Sequence, residues 1–171
     1  MSDQPFTSQD PAFSSLIKGS KKLIEVFGYW PSFHDAEIMD IHFSRGEVDP
    51  ERDRYIFPIL TVKLLVSELT REKDAKGFLF LLPRLHTLTT LRFHDVNEDF
   101  TMDGFNHVNQ ITELFIAQQA RGTFTNGEPL PPYYVVELKR GFGVSASFRC
   151  MGVEVLDAVP TLPSANRDAC P

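Results

Sequence analysis

The feature that most limits how this chain can fold is the recurrence of an apolar residue at every second position through long stretches. Met39, Ile41 and Phe43 alternate with Asp40 and His42, and Leu60, Val62, Leu64 and Val66 alternate with Thr61, Lys63 and Leu65. A period of two sends successive side chains to opposite faces of an extended backbone, so each run predicts a strand with one face buried. Between them Ser44 to Arg54, with Gly46, Pro50 and mixed charges, reads as a loop. Leu85, Thr87, Thr89, Leu91 and Phe93 share a face of another strand, where β-branched Thr fits well. Further on, Tyr134, Val136 and Leu138 precede Gly141 and Gly143, Val144, Ala146, Phe148 and Cys150 alternate, and Val153 and Val155 follow Gly152. That stretch predicts a β-meander.

The N-terminal part has another period. Asp10 followed by Pro11 is a helix start, since the Asp side chain accepts from orphan N–H groups and Pro at the first position loses no intrahelical bond. Phe13, Leu16, Ile17, Leu23, Ile24 and Phe27 then recur three or four apart, with Gly28 as the stop, which predicts an amphipathic helix over 11–27 weakened at Gly19. Phe105 to Ala120 fits both periods, with Phe105, Val108, Ile111 and Phe115 at helical spacing and Leu114 and Ile116 at strand spacing. It is read as a strand from about residue 110. One helix followed by many strands excludes a doubly wound α/β arrangement. The expected fold is mainly β (α+β): a curved antiparallel sheet, sandwich or partly closed barrel, with the N-terminal amphipathic helix packed against it. Residues 11–158 are expected to form one domain between flexible ends at 1–10 and 159–171.

An apolar fraction of 42% that includes 15 Phe supplies a real core and argues against disorder. Lys and Arg number 17 against 23 Asp and Glu, a net charge of -6, and the basic residues lie in ones and twos such as Lys21-Lys22 and Lys139-Arg140. No patch offsets the repulsion of a polyanion, so nucleic acid is not an expected partner, whereas a basic protein is favoured. Cys150, in an apolar run, and Cys170, near the end, give neither a disulfide framework nor zinc spacing, which fits a reducing cytoplasm. Met1 to Asp10 lacks the pattern of a signal peptide, and no apolar run approaches the ~20 residues of a membrane span. A cytoplasmic protein away from membranes is expected.

The densest unusual stretch is Tyr29-Trp30-Pro31-Ser32-Phe33-His34-Asp35-Ala36-Glu37-Ile38. Trp30, Phe33, His34 and Asp35 form either an aromatic anchor with a polar tip for a partner, or a plug at the helix-to-sheet junction whose polar groups bond the turn backbone. A second Phe-His-Asp stands at Phe93-His94-Asp95. If both copies met in the sheet, their imidazoles and carboxylates would suit a divalent metal. His86 shares strand parity with His94, and His34 with His42, but no pair has the helical spacing of a zincin.

Asp95-Val96-Asn97-Glu98-Asp99 imitates the start of an EF-hand loop, yet Phe100 stands where Gly is needed and Asn106 where a bidentate Glu is needed. What remains is an acidic loop, with Asp103 close behind, solvated or facing a basic partner through Asp95, Glu98 and Asp99. The chain has no Gly-x-Ser-x-Gly elbow and no Gly-rich phosphate loop, and Cys150 lies on an apolar strand face where a thiolate is not stabilised. No catalytic residue and no cofactor is assigned.

Trp30-Pro31-Ser32-Phe33-His34-Asp35-Ala36-Glu37, together with Leu91-Arg92-Phe93, Gly104-Phe105-Asn106, Phe148-Arg149-Cys150, Val153 and Val155, resembles the immunity protein 50 family of bacterial polymorphic toxin systems. The resemblance covers residues 25–158, while Thr70 to Gly77, a linker, and both tails match no pattern. It implies a mostly β, non-catalytic protein that protects the producing cell by binding a cognate toxin domain, and it carries no catalytic residue over. Tight inhibition needs an interface of roughly 1,200 Å² or more centred on exposed aromatics. Two other readings compete: a small metal-dependent hydrolase using His34, Asp35, His94 and Asp95, and a β domain holding a small ligand or sugar in an aromatic groove.

Overall fold

The alternating runs pair as antiparallel strands of one curved sheet in the computed structural model, which describes residues 6–7, 12–73, 79–97 and 99–161. In chain order the strands are β1 (Phe6–Thr7), β2 (Ala36–Ser44), β3 (Glu47–Asp49), β4 (Arg54–Ile56), β5 (Ile59–Lys73) and β6 (Leu79–His94). After them come β7 (Thr101–Asp103), β8 (Gln110–Gln119), β9 (Tyr133–Phe142), β10 (Ser145–Cys150) and β11 (Gly152–Pro160). The main sheet runs β11-β6-β5-β2-β8-β9-β10-β7 with β1 added beside β8, and β3 and β4 make a separate two-stranded ribbon. The two terminal strands of that order do not pair, so the sheet is not closed. The chain has the mainly β antiparallel fold that the alternation predicts, with one α-helix among the described residues, α1 (Lys21–Phe27).

Most of the long strands turn their apolar sets inward, but β2 buries Ala36 and Ile38 and leaves Met39 and Phe43, expected on a buried face with Ile41, exposed. Leu60, Val62 and Leu64 of β5, Val136 of β9 and Val155 of β11 belong to one buried cluster. The rings of Phe93 on β6 and Phe148 on β10 meet edge to face with centroids 5.0 Å apart, although those strands lie near opposite ends of the sheet order. The sheet therefore curls until its two ends share a core, burying apolar area that a flat sheet would expose. Bulges assist the bend. Met39 is the extra residue between the pairs Ile38–Leu64 and Asp40–Lys63, which is why it is exposed while Ile38 is buried. Leu85, expected to face inward with Thr87 and Thr89, lies at the register shift between β5 and β6 with a φ of +53° and is exposed.

The predicted helix over 11–27 is shorter than its periodicity suggests. A 3-10 turn covers Phe13–Leu16, α1 begins only at Lys21, and the predicted cap at Asp10 and Pro11 lies outside the described residues. Between turn and helix, Lys18 lies in parallel along β11: its N–H donates to Val153 O at 3.1 Å and its carbonyl accepts from Val155 N at 2.8 Å. Gly19 makes this contact available, for its φ is +72° and a Cβ there would stand 2.4 Å from Val155 O. Phe13 packs edge-on to Tyr134 of β9 with centroids 6.4 Å apart, and the Tyr134 hydroxyl donates to Leu16 O at 3.4 Å. The segment thus bridges β9 and β11 across the opening of the sheet.

Three other expectations change. The loop read over Ser44 to Arg54 contains β3, the whole turn after it and the first residue of β4, and the pairing Glu47–Ile56, Val48–Tyr55 and Asp49–Arg54 is too short to show a period. The meander ends after β10, since β11 pairs with β6 and not with β10. Of the linker Thr70 to Gly77, the first part belongs to β5 as far as Lys73, and residues 74–78 lie outside the described residues. Among the described residues no helix is long and apolar enough to cross a membrane.

Candidate functional site

The sequence-derived candidates separate into two groups at opposite ends of the curled sheet. Trp30, Phe33, His34 and Asp35 form the corner that leads from α1 into β2. Phe33 and Asp35 both have left-handed backbone, with φ of 58° and 61°, a conformation that a bulky aromatic adopts only when its surroundings hold it. Those surroundings are visible: Phe33 is buried, its ring lies 5.5 Å from that of Trp30, and its carbonyl accepts from Ala36 N at 3.1 Å. Gln110 Nε2 donates to Asp35 O at 3.3 Å, and His34 N donates to Ser32 Oγ at 3.3 Å. His34 Nδ1 lies 2.9 Å from Asp35 Oδ2 near the surface. The Tyr29 hydroxyl donates to the Glu68 carboxylate, and that bond pushes the phenol up to about 12. A cleft of 520 Å³ opens beside this corner between Tyr29, Trp30, His34, Thr112 and Glu113.

At the other end stands the loop after β6. Asp95 has a φ of 56° and is pinned on both sides, because Val96 N donates to Pro58 O at 2.9 Å and Met151 N donates to His94 O at 2.8 Å. Its carboxylate takes part in no hydrogen bond or ion pair among the described residues. Asp99 pairs with Arg149 at 2.9 Å, and the Arg149 guanidinium lies 5.2 Å from the centre of the Tyr133 ring. Glu98, between them in sequence, lies outside the described residues. Two clefts meet here and share Phe57, Asp95 and Asn97. One, of 500 Å³, has Phe43, Phe57, Pro58 and Phe100 as apolar walls. The second, of 480 Å³, adds Arg121, Tyr133, Arg149 and Met151. Beside them the β3–β4 ribbon exposes Val48 at 61% and Tyr55 at 68%, and Phe57, directly after it, is exposed at 57%.

Sequence reasoning missed this aromatic surface. Its one signal is Tyr55-Ile56-Phe57-Pro58, an apolar run directly after the charged Glu51-Arg52-Asp53-Arg54. Such a run has no polar alternation to shelter it, so it belongs either in a core or at an interface.

The two Phe-His-Asp copies do not meet. Glu37, two residues after Asp35, faces Leu65 of β5, whereas His94 faces Ile59 of the same strand. Six residues of strand separate those positions, about 20 Å at a rise near 3.3 Å per residue, against metal–ligand bonds of about 2 Å. The hydrolase built on His34, Asp35, His94 and Asp95 is therefore ruled out by distance. His94 is engaged elsewhere, with Nε2 at 3.0 Å from Glu154, which also pairs with Lys18 at 2.8 Å. Cys150 is buried, and burial pushes its thiol up to about 12, away from nucleophilic use. What the second end offers is exposed aromatic area beside a carboxylate held in fixed backbone, which suits recognition of another surface.

The immunity protein 50 family model matches residues 19–160 of the chain. No curated protein and no solved structure matches it.

Proposed function

Because the chain belongs to the immunity protein 50 family, we propose that it binds a cognate bacterial toxin domain and blocks it by covering its working surface, with no reaction of its own. The match over residues 19–160, nearly the whole pairing framework, carries this reading. The end of the molecule with the β3–β4 ribbon is the face we assign to the toxin. It joins exposed aromatic area to open clefts, the combination found at the centre of tight protein interfaces. Asp95 and Asp99, with Glu98 between them in sequence, belong to this face. Trp30, Phe33, His34 and Asp35 stand at the far end, where their role in this reading is to fix the entry into β2.

Co-expression with the toxin encoded by the neighbouring gene tests the proposal. Cells that produce the toxin alone should die, and cells that also produce this chain should survive and yield a stable complex on purification. Equal killing in both cultures would refute it for that pair.

A further inference from the structure

Resting on the immunity reading, we propose that the cleft walled by Phe43, Phe57 and Phe100 receives an arginine or lysine side chain projecting from the toxin, with the cation meeting the Asp95 carboxylate. Among the described residues, Asp95 is the sole charged one lining that cleft. It is partly buried already, and a protein docked over the cleft would remove its remaining water. Burying a carboxylate with no counter-charge is strongly unfavourable, so a partner that closes this cleft must bring a cation with it. Of the cations that line the adjoining cleft, Arg149 is paired with Asp99 at 2.9 Å and Arg121 Nη1 lies 3.5 Å from Met151 Sδ, and neither forms an ion pair with Asp95.

The walls suit the rest of such a side chain. Phe43 lies 5.5 Å from Phe100, which in turn rests 5.8 Å from the buried Phe148, so this wall is anchored in the core. Phe57 is exposed and makes no ring contact with another aromatic among the described residues, leaving its face available. Aromatic faces attract guanidinium and ammonium groups, and the aliphatic stem of Arg or Lys packs along apolar walls. The backbone of the cleft is fixed before binding, because Asp95 is followed by Val96 N donating to Pro58 O and Asn97 N donating to Arg149 O at 3.1 Å. A net charge of -6 favours the approach of a basic partner over longer range.

The test is calorimetric titration of the toxin domain encoded by the neighbouring gene into wild type, Asp95→Asn, Phe57→Ala and, at the far end, Phe142→Ala. Asparagine tolerates the positive φ at position 95 better than other uncharged residues, so Asp95→Asn should fold, and an unchanged melting temperature verifies that. Asp95→Asn should weaken binding about 30-fold and flatten its salt dependence, Phe57→Ala should weaken it about 10-fold, and Phe142→Ala should leave it unchanged. Replacing one basic residue of the toxin should abolish the effect of Asp95→Asn in a double-mutant cycle. Wild-type affinity in Asp95→Asn, or a cycle that couples Asp95 to no basic toxin residue, would overturn the cleft assignment and leave the immunity reading standing. Failure of the wild-type chain to bind that toxin would overturn both.

Discussion

A methyl group on Gly19 would stand 2.4 Å from the carbonyl oxygen of Val155 on a backbone with φ of +72°, so two penalties fall on one atom. Gly19→Ala is expected to cost about 2–4 kcal/mol, read from the urea midpoint, and an unchanged midpoint would show that the Lys18–β11 contact is dispensable. The sequence marks Gly19 as a weak point in a helix but does not show what faces it, and Val155 decides that the chain turns there. Cys150 is a simpler case. With 1% exposure and its thiol pushed up to about 12 by burial, it should remain unmodified by iodoacetamide in native protein at about pH 8 and react on unfolding, as followed by mass spectrometry of its peptide. Rapid native modification would place Cys150 in a more open environment than this fold provides.

Between elements, Glu154 ties three pieces together: Lys18 of the N-terminal segment, β11 on which it stands, and His94 of β6. Its carboxyl is held below the ordinary carboxylate range, first by the Lys18 bond and then by the His94 bond. A depressed folded-state pKa means that the ionised form favours the native state. The contribution is whole above the unfolded value of about 4.3 and is lost as pH falls through the lower folded value. Wild type should therefore lose more stability than Glu154→Gln between about pH 6 and about pH 3, measured as the difference in denaturant midpoints; parallel slopes would remove Glu154 from the acid response.

Elements were legible where their periods were long. β5, β6, β9 and β10 follow directly from alternation, because a buried face imposes it, whereas β8 lies in a segment that fits helical spacing as well and reads as a strand only from about residue 110. The β3–β4 ribbon escaped because three-residue strands are shorter than any period needs, and its exposed Tyr55, with Phe57 just after it, was hidden too. The partner of β11 escaped for another reason: Val153 and Val155 look the same whether the neighbour is β10 or β6, and only the curl of the sheet selects β6. The acidic loop was legible as a candidate, while the aromatic cleft beside Asp95 was not, since Phe43 comes from β2 and Phe57 and Phe100 from two separate connections.

For the whole molecule, the open sheet raises the question of what completes the core, and the answer lies partly outside the segment that the family model matches. That match begins at residue 19, yet Phe13 and Ile17 are as buried as any residue of the strands, and Tyr134 is covered by Phe13. Removing a buried Phe side chain costs about 3–5 kcal/mol and a buried Ile about 2–5, while a domain of this kind is stable by only about 5–15 kcal/mol. A chain beginning at Gly19 is therefore expected to lose cooperative thermal unfolding and to bind the dye ANS, although every residue assigned to the toxin-facing end is still present. It should also protect poorly in co-expression. That loss would arise from the population of folded protein, whereas Asp95→Asn should lose protection with its melting temperature intact. If the truncated chain melts as wild type does, the N-terminal segment is an accessory strap, and the core of this fold is complete without it.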